Sequence, residues 1–325
     1  MNKAWVHIVS DKFQAAEKIL IVSHIRPDGD AIGSVLGLGL SLQLIGKQVQ
    51  MVLSDGIPQT FHHLSGVEQF KQHAEGEFDL ICVLDCSDMQ RTGKALNGYS
   101  QPDINIDHHI TNLEFAHINL VDTQAVATVE ILAGLIQALN LPMPPSVAAA
   151  LLTGLITDTI GFRTSNVGPD SLRLAASLME RGANLSELYR LALVTRSFEA
   201  ARFWGSGLST LEKEDRMVWA TLSLVDRKAV GYPGRDDADL VTVLASIEGA
   251  DVALIFIEQP DNHVKVSWRA QPGFDVSQIA LKFGGGGHAP ASGADVPGEL
   301  AEVKASVLAA TRSLLFPELA HQVKS

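Results

Sequence analysis

Cysteine is nearly absent: Cys82 and Cys86 are the only two in 325 residues. Two thiols cannot build a disulfide framework. Both lie in an apolar run that ends in an acidic turn, so they read as reduced core thiols rather than metal ligands or a redox pair. Basic residues are also scarce, 25 Lys and Arg against 37 Asp and Glu, which gives a formal net charge of -12. The deficit is shared by both halves of the chain. It excludes a protein that grips long nucleic acid by summed phosphate attraction, because that mode needs a basic face. No apolar run reaches the roughly 20 residues that a bilayer span requires. The most membrane-like stretch, residues 31–46 (AIGSVLGLGLSLQLIG), is short and glycine-rich and reads as a buried helix. The N-terminus lacks the charged, apolar, small-residue order of a signal peptide. No internal repeat or low-complexity tract is visible, and the expectation is a cytoplasmic protein without a membrane partner. Hydrophobic residues at 46% and charged residues at 19% are those of an ordinary folded protein, and the length suggests two domains.

Against these absences stands a clear alternation of element types. Residues 19–23 (ILIVS) are a continuous apolar run of branched residues, followed by a polar turn and then the apolar 31–46 segment: strand, loop, helix. Further strands are expected at 49–55, 78–88 and 104–109, and helices at 125–140 and 146–156. Strands buried on both faces and alternating with helices indicate a parallel α/β sheet. From about Ser171 to Leu211 the chain reads as helix after helix, the last of them written SFEAARFWGSGLSTLEKE. Beyond it lie strand candidates at 217–225, 251–259 and 263–270, a helix candidate near 237–248 and a glycine cluster at 284–287. The fold class is therefore α/β. An N-terminal parallel-sheet domain (1–185) is joined by a helical linker (186–211) to a smaller C-terminal α/β domain (212–325).

Four places carry acids and histidines at the ends of regular elements. They are His24-Ile-Arg-Pro-Asp28-Gly-Asp30, then Asp85, then Asp107-His108-His109, and finally Asp158. Open α/β sheets gather their active groups at the carboxyl ends of strands. A lone Asp after a strand is more often a helix cap or turn former. It is the ordered combination that points to chemistry. Carboxylates and imidazoles without thiolates suit Mn²⁺, Mg²⁺, Zn²⁺ or Fe²⁺. Four aspartates brought together would repel one another, and two divalent cations would cancel that charge in the arrangement used for phosphoryl hydrolysis.

These four ordered motifs resemble those of the DHH phosphoesterases, and VKVSWRA at 264–270 followed by FGGGGHAPASG at 283–293 is similar to the DHH-associated C-terminal domain. Length and linker position look most like the NrnA-type members, which act on short oligoribonucleotides (nanoRNA) and on 3'-phosphoadenosine 5'-phosphate (pAp). The resemblance implies that His24, Asp28 and Asp85 hold one ion and that Asp30, Asp85, His108 and Asp158 hold the other, with Asp85 bridging. Manganese is the metal the family generally prefers, with magnesium the alternative. Asp107 would orient a neighbouring histidine, and His109 would face the substrate and assist the leaving oxygen. The active site is expected in the cleft between the domains.

Gly284, Gly285, Gly286 and Gly287 would let backbone N–H groups approach a phosphate, with His288 as a further phosphate or sugar contact. Arg269 on the preceding strand supplies a guanidinium suited to bidentate phosphate binding. Arg163, in the GFRTSN segment, is either a substrate contact or a salt-bridge residue near the domain seam. Pro290 and Ser292 depart from the family's usual GGGHxxAAG. The expected partner is short RNA or a mononucleotide bisphosphate, with a homodimer left open. Other enzyme readings are a linear or cyclic dinucleotide (pApA, c-di-AMP) phosphodiesterase and an inorganic pyrophosphatase. A nucleotide-binding module without turnover is the reading from another class.

Overall fold

Apolar runs set the first sheet. Lys18–Val22 (β1), Gln48–Val52 (β2), Leu80–Leu84 (β3), Ile104–Asp107 (β4) and Ile118–Val121 (β5) lie in the order β2-β1-β3-β4-β5, every pair parallel. The computed structural model describes residues 3–315. Alternate residues of β1 go to opposite faces: Ile19 and Ile21 join one core with the helices, while Leu20 and Val22 join a second with Val83, Cys86 and Leu96. Burial on both faces is why these strands read as unbroken apolar runs instead of alternating ones. Cys82 and Cys86 are free and buried.

Among the described residues, six α-helices accompany this sheet: Lys3–Ala15 (α1), Gly29–Gln43 (α2), Thr128–Ala138 (α3), Pro145–Asp158 (α4), Pro169–Glu180 (α5) and Leu185–Tyr189 (α6), the last running into a π-helical turn at Arg190–Val194. The membrane-like segment is α2, buried along almost its whole length. Among the described residues no helix is long and apolar enough to cross a membrane. Glycine makes the packing of α2 possible. A Cβ on Gly33 would lie 2.5 Å from the Ala150 carbonyl oxygen in α4. Alanine at an exposed helix position would gain about 1 kcal/mol over glycine, but a clash against backbone costs about 1–3 kcal/mol. Gly33→Ala is therefore expected to lower stability, read as a lower urea midpoint with an unchanged slope.

The chain divides at Thr195–Arg196 into two units. The stretch expected as a linker is shared between them: α6 and the π turn belong to the first, and Phe198–Ser209 (α7) to the second. The second unit has a mixed sheet of Glu212–Glu214 (β6), Met217–Leu222 (β7), Val252–Gln259 (β8), His263–Ala270 (β9), Gly286–His288 (β10) and Ala291–Pro297 (β11), in the order β10-β11-β9-β8-β7-β6. Only β7 and β8 pair in parallel. Its helices are α7, Leu224–Val230 (α8), Leu240–Leu244 (α9), Ser277–Lys282 (α10) and Leu300–Leu315 (α11). Two readings are corrected here. Residues 212–214 are a strand, not the end of a helix, because the edge pairs with β7 and its two glutamates meet Lys304 and Arg312 of α11. The 217–225 strand stops at Leu222, since Ser223 and Asp226 form a capping box that starts α8.

Candidate metal centre

In a parallel sheet of order 2-1-3-4-5 the connections diverge between β1 and β3, and the crevice beyond their carboxyl ends is where such folds bind ligands. His24 follows β1, Asp85 follows β3, and Asp107 ends β4 with His108 and His109 directly after it. Asp158 is the last residue of α4, and Asp28 and Asp30 open α2. The first turn of α2 sets the two aspartates apart. Asp28 is the N-cap, with Oδ1 accepting from the amides of Asp30 and Ala31 at 3.1 and 3.0 Å. That leaves Oδ2 pointing at His24 Nε2, 3.8 Å away. The capping role that a lone aspartate suggests is thus real, and it occupies only one oxygen.

Asp85 lies at the centre. Its Oδ2 is 3.5 Å from His24 Nε2, and its Oδ1 is 3.7 Å from His108 Nε2. His108 Nε2 also stands 3.9 Å from Asp30 Oδ2 and 3.6 Å from Asp158 Oδ2. Donor atoms of His24, Asp28 and Asp85 lie within 4.8 Å of one another, as do those of Asp30, Asp85 and His108. Imidazole nitrogens ringed by carboxylates at 3.5–3.9 Å are beyond ordinary hydrogen-bond length and spaced as ligands around a cation would be. Oxygen and imidazole donors with no thiolate fit a hard or borderline divalent ion. Asp85 also holds a left-handed backbone, φ 52°. Aspartate is among the few residues that tolerate this, and such conformations collect at functional sites.

Asp107 does different work. It is fully buried and accepts from the His108 amide at 2.9 Å and from Asn112 Nδ2 at 2.6 Å, while His109 Nδ1 lies 2.7 Å from its Oδ1. It fixes the ring of His109. Asn112 Nδ2 also reaches Asn105 Oδ1, so a chain of amides stands behind the aspartate.

Burial pushes Asp30 and Asp158 well above the usual carboxylate range, and the neighbouring charge of Asp85 adds to this. Burial alone would raise Asp85 too, but His24, His109 and His108 hold it well below that range. Burial opposes charge on His24 and His109, yet Asp85 raises the first, and Asp107 with Asp85 raises the second to about 9. Each raised group favours the folded chain below its ordinary value, and that contribution is lost as pH climbs through the folded value. Asp85, lowered, contributes a constant amount above 3.8. Without metal, stability should therefore fall as pH rises from mildly acidic to about 9. In EDTA the melting temperature is expected to decline over this range, and the increment added by Mn²⁺ should grow over the same range. An increment independent of pH would contradict the assignment.

Two contributors escape the sequence reading. Thr128, at the start of α3, donates its amide to Asp30 at 2.6 Å and its hydroxyl to Asp85 at 2.9 Å. The Val129 amide donates to Asp30 at 3.0 Å. Asn112 is the other, and its place three residues after His109 is the one signal that could have found it.

The remaining expected site residues lie on other elements. Arg163 is exposed in the turn after α4. In the second unit Arg269 sits on β9, with Nη1 donating to the Trp268 carbonyl and Nε buried without a hydrogen-bond partner among the described residues. Burial lowers its pKa. Two amides of the glycine cluster are engaged within its own unit. The amides of Gly284 and Gly285 donate to the carbonyls of Leu281 and Ala280, closing α10, and Gly286–His288 pairs with β11 as an edge strand. Glycine is required at Gly287 by φ 136° and by the Ala291 carbonyl oxygen, 2.6 Å from where a Cβ would be. Ser292 Oγ donates to the His288 carbonyl at 2.8 Å and the Pro290 carbonyl accepts from Ala270, so the residues that depart from the family's pattern close the hairpin and tie it to β9.

Comparison with known proteins gives two domain matches: the DHH family, N-terminal domain, over residues 18–155, and the DHHA1 domain over residues 229–315. A Thermus thermophilus protein named bifunctional oligoribonuclease and PAP phosphatase NrnA is 35% identical over 316 residues, covering 95% of this chain and 94% of its own. A Mycoplasma pneumoniae protein of the same name is 30% identical over 296 residues, 86% of this chain and 88% of its own. Among solved structures, an exopolyphosphatase-related protein from Bacteroides fragilis superposes with a TM-score of 0.86 at 26% identity, covering 96% of this chain and 97% of that one.

Proposed function

The chain belongs to the DHH family, and from that premise we propose that it is a metal-dependent phosphoesterase that cleaves short oligoribonucleotides to nucleoside 5'-monophosphates and removes the 3'-phosphate of pAp. The observation that carries this reading is Asp85, whose two oxygens face two separate donor groups. His24, Asp28 and Asp85 would hold one divalent cation, and Asp30, Asp85, His108 and Asp158 the other, with Mn²⁺ favoured over Mg²⁺. Bound there, two cations would supply an activated water and would offset the charge that develops on the phosphoryl oxygens. His109 donates the proton that the leaving 3'-oxygen needs. Asp107 holds Nδ1, so the proton is given from Nε2. In the metal-free chain Asp107 and Asp85 raise His109 to about 9, and a proton-bearing ring held by Asp107 is what a general acid requires.

Arg269, with a buried guanidinium nitrogen lacking a partner among the described residues, supports anion binding by the second unit. The 284–288 hairpin and Arg163 are assigned to the substrate with it. The acidic balance fits this choice, since a substrate of a few nucleotides needs no basic track. The free, buried thiols suit a reducing, cytoplasmic setting.

The test is a series of di- to pentaribonucleotides set beside pAp, pyrophosphate and a cyclic dinucleotide, each with Mn²⁺. Turnover of the short ribonucleotides and pAp is expected. Preference for pyrophosphate or the cyclic dinucleotide would replace the substrate assignment, and nucleotide binding without turnover of any of them would end the enzyme reading.

A further inference from the structure

We propose that residues 125–129, the entry to α3 and its first turn, are through Thr128 above all the positioning element for one half of the centre, holding Asp30, Asp85 and His108 in place for a single cation. The proposal rests on reading those three residues as metal ligands. One short segment touches all of them. The amides of Thr128 and Val129 grip the two oxygens of Asp30 at 2.6 and 3.0 Å, the Thr128 hydroxyl donates to Asp85 Oδ1 at 2.9 Å, and His108 Nδ1 lies 3.4 Å from the Ala125 carbonyl oxygen.

The first amides of a helix have no partner within it and are ordinarily met by a capping side chain. The N-cap of α3 is Ala127, which offers none. Asp30 takes that place from 98 residues away in sequence. Its charge is compensated at the helix terminus, where an anion is favoured, and its oxygens are fixed in direction. The segment is itself anchored. The Val126 amide donates to Glu130 Oε2 at 2.8 Å, and Ser171 of α5 donates to Glu130 Oε1 at 3.3 Å. Thr128 is wholly buried, so its hydroxyl has a fixed bearing.

The other half of the centre is held by local contacts instead. His24 Nδ1 lies 2.8 Å from the carbonyl oxygen of the next residue, Ile25, and Asp28, with its side chain 60% exposed, is fixed through the cap of α2. Loss of the Thr128 hydroxyl should therefore weaken one cation site and spare the other. Outer contacts of this kind are worth about 10- to 100-fold in metal affinity.

The experiment is a Mn²⁺ titration of the metal-stripped full chain, followed by calorimetry and by the electron paramagnetic resonance signal of free Mn²⁺. Variants are Thr128→Val, which keeps shape and amide but removes the hydroxyl, and Thr128→Ser, which keeps the hydroxyl. The expected result is two sites in the parent and in Thr128→Ser. Thr128→Val should show one site weakened about 10- to 100-fold, with turnover recovering as Mn²⁺ is raised. Should the valine chain fail to fold by circular dichroism, Thr128→Ala is titrated in its place. Parental binding at both sites in the folded, hydroxyl-free chain overturns the proposal, as does equal weakening of both sites or a serine chain no better than valine. A parent that binds no Mn²⁺ overturns the metal reading beneath it, a result distinct from any of these.

Discussion

Asp85→Asn should lose hydrolysis of every substrate by at least about a thousandfold, equivalent to about 4 kcal/mol of transition-state stabilisation. The size follows from position. One oxygen faces His24 and Asp28 and the other faces His108, so a single change removes a charged donor from both groups. Asparagine is the informative replacement because it also tolerates a left-handed backbone, and the φ of 52° is then met without added strain. The variant should fold, and calorimetric scans should show that the Mn²⁺-dependent rise in melting temperature expected of the parent is gone, since a ligand stabilises only the state that binds it. Activity near the parental level would defeat the bridging assignment.

His109→Ala should slow cleavage of a diribonucleotide by about 10²- to 10⁴-fold, the usual worth of a positioned proton donor. The decisive reading is its dependence on the leaving group. A ribose 3'-oxygen departs poorly without a proton, whereas p-nitrophenolate needs none. On the p-nitrophenyl ester of a nucleoside 5'-phosphate the same variant should therefore lose far less. Equal losses on both substrates would mean that the histidine binds or orients and does not donate. Asp107 makes the expectation specific, because its contact with Nδ1 at 2.7 Å fixes which nitrogen carries the proton to be given.

The parts legible from the amino-acid order are those in which one residue type has one physical use. β1, β3 and β4 are unbroken apolar runs because both sheet faces are buried, and the acids and histidines at their ends stand out against them. α2 is legible for the same reason. What the order hides depends on contacts between distant segments. Glu212 and Glu214 look helical until Lys304 and Arg312 of α11 and the pairing with β7 are known. α1, β5 and α11 go unread because each is short or modestly amphipathic and gains its place by packing. Thr128 looks like any helix-opening threonine, and nothing in its neighbourhood announces a partner 98 residues earlier. The glycine cluster is legible only in part. Its composition suggests an open anion cradle, while two of its amides are already spent on closing α10.

The left-handed turn at Asp85 narrows what the genetic code can do there. An aspartate codon reaches Asn, Gly, Glu, Ala, Val, His and Tyr by single-base changes. Asn and Gly accept φ 52° but bring no negative charge. Glu keeps the charge, but its extra methylene moves the carboxylate away from His24 and His108, and it is less at ease with that backbone. Ala, Val and Tyr fail on both counts, and His, which tolerates the backbone, brings no negative charge. No single-base missense change preserves both the bend of the chain and the carboxylate, so this codon should stand fixed wherever the enzyme is still needed, and its drift would mark a descendant that has given up hydrolysis.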